Sequence, residues 1–473
     1  QLYCEAMTDN AYTKQPNDAT QNIGNGSYST ADPYVKKVWD GRYTGIRMCN
    51  ELLENIDRVP DLDPELKKRY IGEAKVLRAY NYYELYTKFG DVPYTTKVLS
   101  IKESMSIART AKATVIANVL ADLDEVINGN YLPTSYDADN KGRITRWAAM
   151  AIKAKIYLFE GNWTQVKNIT STIMTEGGFK LFGSYAGLFE IANEYNSEVI
   201  LDAQYRPTSR EHQMMYVFLP PTLGGYSQLS PLQELVDSYI MLDGKTIKET
   251  GTSFDESHPY ANRDPRLKAT VMYTGNSYTL ADGTEVVINC EKGEGKDGYG
   301  VGSDCSATGY YIKKYWDNTY RATLYSGLNP ILIRYADILL MNAEALAELG
   351  ELDKTAWDAT IKPIRDRAGF TLASALEFPE GASKDKLIEI VRNERRSELA
   401  LEGHRHKDII RWRIADNVLN GWCHGLKTND VVGTDDGYVR VENRTFNANK
   451  HYLWPIPQAE RDLNGNLEQN PNW

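Results

Sequence analysis

The most specific chemical signal in this sequence is a run of aromatic side chains on a glycine-punctuated segment. Tyr299, Tyr310, Tyr311, Tyr315, Trp316, Tyr320 and Tyr325 fall close together, with Gly300, Gly302, Gly309 and Gly327 among or just beyond them. A flat ring can cover the apolar C–H face of a pyranose while neighbouring Asn, Asp, Arg or Lys groups bond its rim hydroxyls, so loop aromatics with adjacent polar groups suit a glycan. The competing arrangement is a β-hairpin with Tyr311, Lys313 and Tyr315 on one face and Ile312, Lys314 and Trp316 on the other, its apolar members packed internally.

Other residue sets invite catalytic or metal chemistry and do not support it. Glu394, Glu398 and Glu402 are spaced to share one helix face, but that face continues the apolar stripe of Leu387 and Val391. The spacing therefore predicts carboxylates turned inward and paired with Arg395, Arg405 or Arg334 as a buried ionic network. His404 and His406, beside Asp408, point about 200° apart on a regular helix and cannot share an ion. Asp137 to Gly142 starts like a calcium loop, but Lys141 stands at a ligand position and Ala148 replaces the closing glutamate. The sequence has no G-x-S-x-G elbow, no Cys-Gly-x-Cys pattern and no H-E-x-x-H helix. A facing pair of carboxylates of the glycosidase kind is not visible in a linear sequence, so an enzyme is unsupported rather than excluded. No metal or cofactor is expected.

A net charge of −10 disfavours nucleic acid and anionic lipid as partners, and a neutral ligand is easier to accommodate. Cys4, Cys49, Cys290, Cys305 and Cys423 show no CxxC pair and read as free thiols, although Cys290 and Cys305 could bridge a loop. No apolar run reaches the roughly 20 residues that span a bilayer.

Helical periodicity positions these groups. Val38, Ile46, Cys49, Leu53 and Ile56 predict a helix from Pro33 to Asp57, and a second runs from about Pro64 to Phe89, ringed by Tyr80, Tyr82, Tyr83 and Tyr86. Further helices are expected at about 112–128, 145–160 and 163–176, the last two forming a hairpin across Glu160-Gly161-Asn162. A second hairpin is expected from Arg334–Leu349 and Asp353–Ala368, broken at Gly350. Small residues before each glycine turn allow the close helix approach of tetratricopeptide units. Residues 181–330 lose this periodicity and read as loops with small β elements, such as Val286-Val287-Ile288.

Several scattered segments resemble the SusD/RagB family. They are Tyr43-Thr44-Gly45-Ile46-Arg47-Met48-Cys49-Asn50, Glu73-Ala74-Lys75-Val76-Leu77-Arg78-Ala79-Tyr80 and Phe89-Gly90-Asp91-Val92-Pro93-Tyr94. The resemblance continues through Ile333 to Ala345, Asn393 to Arg405, and the ending Leu453-Trp454-Pro455-Ile456-Pro457 with Asn464 to Pro471. It implies a mostly α fold: a single SusD-like domain over 1–473, with tetratricopeptide-like helical hairpins at about 34–180 and 331–420 supporting an irregular ligand-binding lobe at 181–330 with the C-terminal segment 421–473. It also implies an N-terminal lipid anchor at the outer face of the outer membrane, absent from this chain since Cys4 lacks the usual context. The implied partner is a SusC-like TonB-dependent outer-membrane barrel.

In the family, ligand contacts come from regions that correspond here to about Asp9–Tyr28, Gly224–Gln228 and 299–325. Within them the expected stacking platforms are Trp316, Tyr320 and Tyr226, with Tyr315 and Tyr299 also as contacts, and the expected hydroxyl or carboxylate binders are Asp9, Asn10 and Arg321. The function expected is non-catalytic capture of an oligosaccharide. The alternatives are capture of an oligopeptide on the same scaffold and a tetratricopeptide-type protein adaptor.

Overall fold

The computed structural model of the chain describes residues 2–14, 19–320, 323–428 and 435–473, without the side chains of Ala19 and Tyr320. They form two compact units, each assembled from distant parts of the chain. The first, helical, unit is Gly26–Gly177 with Ile410–Asp416 and Phe446–Trp473; the second, mixed, unit is Gln1–Asn25 with Gly178–Ile409 and Asn417–Thr445.

Five long helices build the helical unit: α1 (Pro33–Asn55), α2 (Pro64–Phe89), α3 (Lys112–Asn128), α4 (Arg146–Phe159) and α5 (Trp163–Glu176). The starts of α1 and α2 follow one rule. An aspartate immediately before a proline at the first helical position caps each end: Asp32 accepts from the Tyr34 and Val35 amides, and Asp63 accepts from the Leu66 amide at 2.8 Å. The second half of α2 is buried on nearly every side, with Tyr82, Leu85, Tyr86 and Phe89 inaccessible. Gly90, at φ +70°, ends it. Between α4 and α5, Gly161 takes φ +70° and Asn162 caps α5, giving the expected hairpin. The closing segment is fixed on the end of α2: the Trp454 amide donates to the Lys88 carbonyl at 2.7 Å, and Asn470 Nδ2 donates to the carbonyls of Phe89 and Trp454.

The mixed unit carries α6 (Tyr335–Leu349), α7 (Lys354–Ala368) and α8 (Lys384–Glu398) with ten short strands. Gly350 at φ +74° and Asp353, accepting from the Ala356 amide, form the turn between α6 and α7. The strands make five antiparallel pairs: β1 (Ala11–Thr13) with β3 (Leu229–Pro231), β2 (Val199–Asp202) with β8 (Ile331–Arg334), β4 (Val271–Met272) with β7 (Tyr311–Ile312), β5 (Ser277–Thr279) with β6 (Glu285–Val287), and β9 (Gly421–Lys427) with β10 (Tyr438–Arg444). The partition thus differs from expectation. The second helical hairpin belongs to the same unit as the irregular segment, and 421–473 is divided between the two units.

Ion pairs inside the mixed unit explain the first difference. Arg334, where β8 passes into α6, reaches Glu198 at 2.7 Å, Glu398 at 2.6 Å and Glu402 at 2.7 Å. Arg266 reaches Asp264, Glu394 and Glu398, Arg365 pairs with Glu394, Arg367 with Glu198 and Glu398, and Lys314 with Glu402. Five cations thus face five carboxylates, and no side chain among them exceeds 7% exposure. The inward turn of the three glutamates matches the sequence reading, but their partners largely do not. Arg395 pairs instead with Asp337 and Asp408, and Arg405 with Asp9. The helix also stops at Glu398; Leu401 turns at φ +61°, and Glu402 reaches the network from beyond the helix end.

Burial alone would push the carboxyls up; the adjacent cations prevail at Glu394, Glu398 and Glu402, whereas at Asp264 burial prevails and the carboxyl is raised. Arg367, Arg334 and Arg266 hold Glu398 far below the carboxylate range, and Arg334 with Lys314 hold Glu402 at about 2. Glu5, the carboxylate beyond this balance, behaves oppositely. Burial pushes it up to about 7 despite hydrogen bonds from Asn10 and the Gly403 amide.

Arg334→Met leaves three buried carboxylates short of a partner and should cost about 3–5 kcal/mol in urea unfolding. Asp358→Ala, in the exposed pair with Lys354, should change stability by less than about 0.5 kcal/mol. Because Glu402 is held low, its contribution is complete above pH 4.5 and is lost as pH falls toward about 2. Glu402→Gln should begin from a lower stability and show a shallower decline across that window in unfolding curves taken at successive pH values.

Candidate functional site

A cleft of ≈ 860 Å³ opens among the loops of the mixed unit. One wall comes from the short helix Met214–Phe218 and the loop after it, which place Tyr216 and Tyr226 side by side. Their rings lie 5.7 Å apart and nearly parallel, at 12°, and the Tyr226 amide donates to the Tyr216 carbonyl. Tyr325 meets Tyr216 edge-on at 6.2 Å. Tyr226 is 45% exposed and Tyr325 39%, although both belong to a densely packed unit.

The loop holds its shape through backbone proximity. Gly225 passes so near Leu219 that a Cβ at this position would lie 2.2 Å from the Leu219 carbonyl oxygen, and Gly224 takes φ +86°. The Thr222 amide donates to Asp297 Oδ1 at 2.8 Å, tying this wall to the segment that brings Lys296 to the cleft. The opposite side is the β5–β6 turn, Leu280, Ala281 and Asp282, with Asn318 and Thr319. Trp316 stands behind that turn, donating its indole N–H to the Thr279 carbonyl at 2.9 Å and meeting buried Tyr278 at 5.3 Å. Aromatic faces, apolar Leu223 and Leu324, and the polar groups of Thr222, Asp282, Lys296, Asn318 and Thr319 therefore share one opening. Such a surface can stack on a flat apolar face and hydrogen-bond its rim.

The expected contact residues separate into three groups. Tyr226 lines the cleft, and Trp316 is half-buried behind its rim. Tyr320 closes the 3-10 turn Asn318–Tyr320 next to cleft residues; its side chain, and Arg321 altogether, lie outside the described residues.

The remaining four need correction. Asp9 is buried and paired with Arg396 and Arg405, which hold its carboxyl low against the opposing effect of burial. Buried Asn10 bridges Glu5 and Arg396. Tyr315 is 5% exposed and packs on Phe189 at 4.9 Å. Tyr299 is half-buried against the core, its amide bonded to the Cys290 carbonyl. None of the four lines the Tyr226 cleft: Asp9, Asn10 and Tyr315 are engaged in internal ion pairs, hydrogen bonds and ring packing, and Tyr299 is packed in part against the core.

Tyr216 and Asp282 escaped the sequence reading, and Tyr325 was noted there without being chosen. Aromatic density alone does not separate Tyr325 from the buried Tyr310 and Tyr311. Asp137 caps its own turn, accepting from Asn140, and among the described residues no group of three or more His, Cys, Asp or Glu could hold a metal ion. All five cysteines are free thiols.

With this geometry in place, comparison with known proteins decides the family. Residues 188–473 match the model described as SusD family, and residues 1–158 match one described as starch-binding associating with outer membrane. The chain belongs to the SusD family. Its SusD-like relatives include SusD-like protein P25 of Formosa agariphila, 28% identical over 89% of this chain and 80% of that protein. A crystal structure of a SusD-like carbohydrate binding protein from Bacteroides fragilis superposes with a TM-score of 0.88 at 29% identity, covering 99% of this chain and 92% of the other. A laminarin binding SusD-like protein superposes with a TM-score of 0.74 at 25% identity, covering 100% and 94%. Mostly helical with small strands, the SusD-like chain has no described helix long and apolar enough to cross a membrane.

Gly225→Ala should distort the wall that carries Tyr226. We expect a loss of about 1–3 kcal/mol in thermal or chemical unfolding, the scale of an overpacking change, while Gly41→Ala, with open space around its Cβ, should not show this steric loss.

Proposed function

We propose that this SusD-like chain captures an oligosaccharide reversibly in the Tyr226 cleft, making and breaking no covalent bond. The observation that carries the reading is the stacking of exposed Tyr226 on Tyr216, with exposed Tyr325 edge-on to Tyr216, in a cleft that also presents hydroxyl, amide, carboxylate and ammonium groups. Leaving large rings accessible in a unit that buries so many others forgoes burial energy, and ligand stacking recovers it. Support comes also from relatives whose names state carbohydrate or laminarin binding. We further propose that the protein is held at the outer-membrane surface by a lipid and passes its ligand to a SusC-like TonB-dependent barrel. The family description of outer-membrane association supports the first of these, and family membership the second.

Titration calorimetry of the chain against soluble oligosaccharides and mixed oligopeptides, with chromatography for breakdown products, tests this directly. One glycan class should give heat without cleavage, and Tyr226→Ala should weaken it about 5- to 30-fold, the loss of about 1–2 kcal/mol of stacking. Heat only from peptides transfers the scaffold to oligopeptide capture; product formation makes the protein an enzyme.

A further inference from the structure

A second pocket, of ≈ 420 Å³, lies in the mixed unit and is lined by residues distinct from those of the Tyr226 cleft. One of its walls is Trp422, on β9, with 44% of its surface exposed. The indole is held in place. The Arg440 guanidinium lies 5.2 Å from the ring, and Asp435 binds that guanidinium in turn. Around the pocket stand Asp237, Lys248, Asn393, Asn417 and Asn420.

The floor is already neutralised. Arg396 is paired with Asp9 at 3.0 Å and Arg444 with Glu442 at 3.0 Å, and the Glu234 carboxylate at the same pocket is bonded to the His424 ring at 2.7 Å, so neither arginine is left to attract an anion. Asp237 Oδ1 accepts from Gln233 Nε2 at 2.7 Å, and Asn393 Nδ2 donates to the Ser238 carbonyl, which fixes both side chains at the wall. An accessible indole beside a fixed carboxylate, several amides and an ammonium, over a charge-balanced floor, matches the two-sided chemistry of a neutral sugar: an apolar face and a rim of hydroxyls that both donate and accept.

We propose that the Trp422 pocket is a second saccharide-binding site, taking one or a few neutral sugar units independently of the Tyr226 cleft. It rests on the reading of the chain as a saccharide binder, but not on where the first site lies. Two sites on one unit would let one polysaccharide chain, or two, be held at separated points and raise overall avidity without tightening either contact.

The test uses the full chain labelled with 5-fluorotryptophan and followed by fluorine NMR, with maltoheptaose, laminarihexaose and xylohexaose as probes. Trp422→Phe assigns the resonance and, at so exposed a position, leaves the fold intact, checked by circular dichroism. The expected result is a saturable shift of the Trp422 resonance with at least one probe, retained in Tyr226→Ala. A Trp422 resonance unmoved by every probe overturns the proposal, whether or not the other cleft binds. A shift that disappears in Tyr226→Ala also overturns it, since independence fails. Failure of the first site reads differently: binding unchanged in Tyr226→Ala removes that cleft while the Trp422 shift persists.

Discussion

The mixed unit depends on one constraint: charges taken out of water must be matched on the spot. Its three long helices and the segments carrying Glu198, Arg266 and Lys314 meet in the buried network around Arg334, Glu394, Glu398 and Glu402. An isolated buried charge costs several kcal/mol, whereas a balanced set with full hydrogen bonding is tolerated and has one preferred arrangement. Arg334 joins Glu198 before β2 to the end of α8, and Lys314 joins the aromatic segment to Glu402. Glu5 shows what burial does where cations do not outweigh it: its carboxyl keeps its proton up to about 7, and the Asp264 carboxyl is raised in the same direction. Stability attached to Glu5 falls as pH rises from 4.5 through 7, the reverse of the glutamates beside Arg334.

This frame accounts for the position of the Tyr226 cleft. Lys314 is buried and bonded to Tyr185 and Glu402, and Tyr315 next to it turns at φ +62° to pack on Phe189. The chain thereby leaves the core with Trp316 behind the β5–β6 turn and Asn318 at the cleft. Loops that would otherwise pay ordering entropy on ligand binding are fixed beforehand by Asp297, Thr279 and the close passage of Gly225, which favours affinity.

The helices were legible in the sequence because their signals are local. Asp32-Pro33, Asp63-Pro64, Gly90, Gly161 and Gly350 mark boundaries that the structure reproduces within a residue or two. The inward turn of Glu394 and Glu398 was legible from their alignment with Leu387 and Val391. Of their partners Arg334 was legible, whereas Arg266 was not, because it comes from a part of the chain without periodicity. The candidate cleft was legible only in part as regions: residues of 224–228 and of 299–325 line it, and none of Asp9–Tyr28 does. Its individual residues were not. Tyr226 and Tyr315 look alike in sequence, and only the tertiary fold puts one at the opening and the other in the core. Asp9 looked like a polar loop residue until Arg396 and Arg405, far along the chain, claimed it.

On the proposed function, the loops at 216–226, 278–284 and 316–319 form the surface that receives a saccharide. Hydrogen–deuterium exchange of the intact chain, with and without the oligosaccharide that gives calorimetric heat, tests it most directly. The account predicts slowed exchange in those three segments with the exchange of α6 and α8 unchanged. Unaltered exchange in all three at saturating ligand would contradict it.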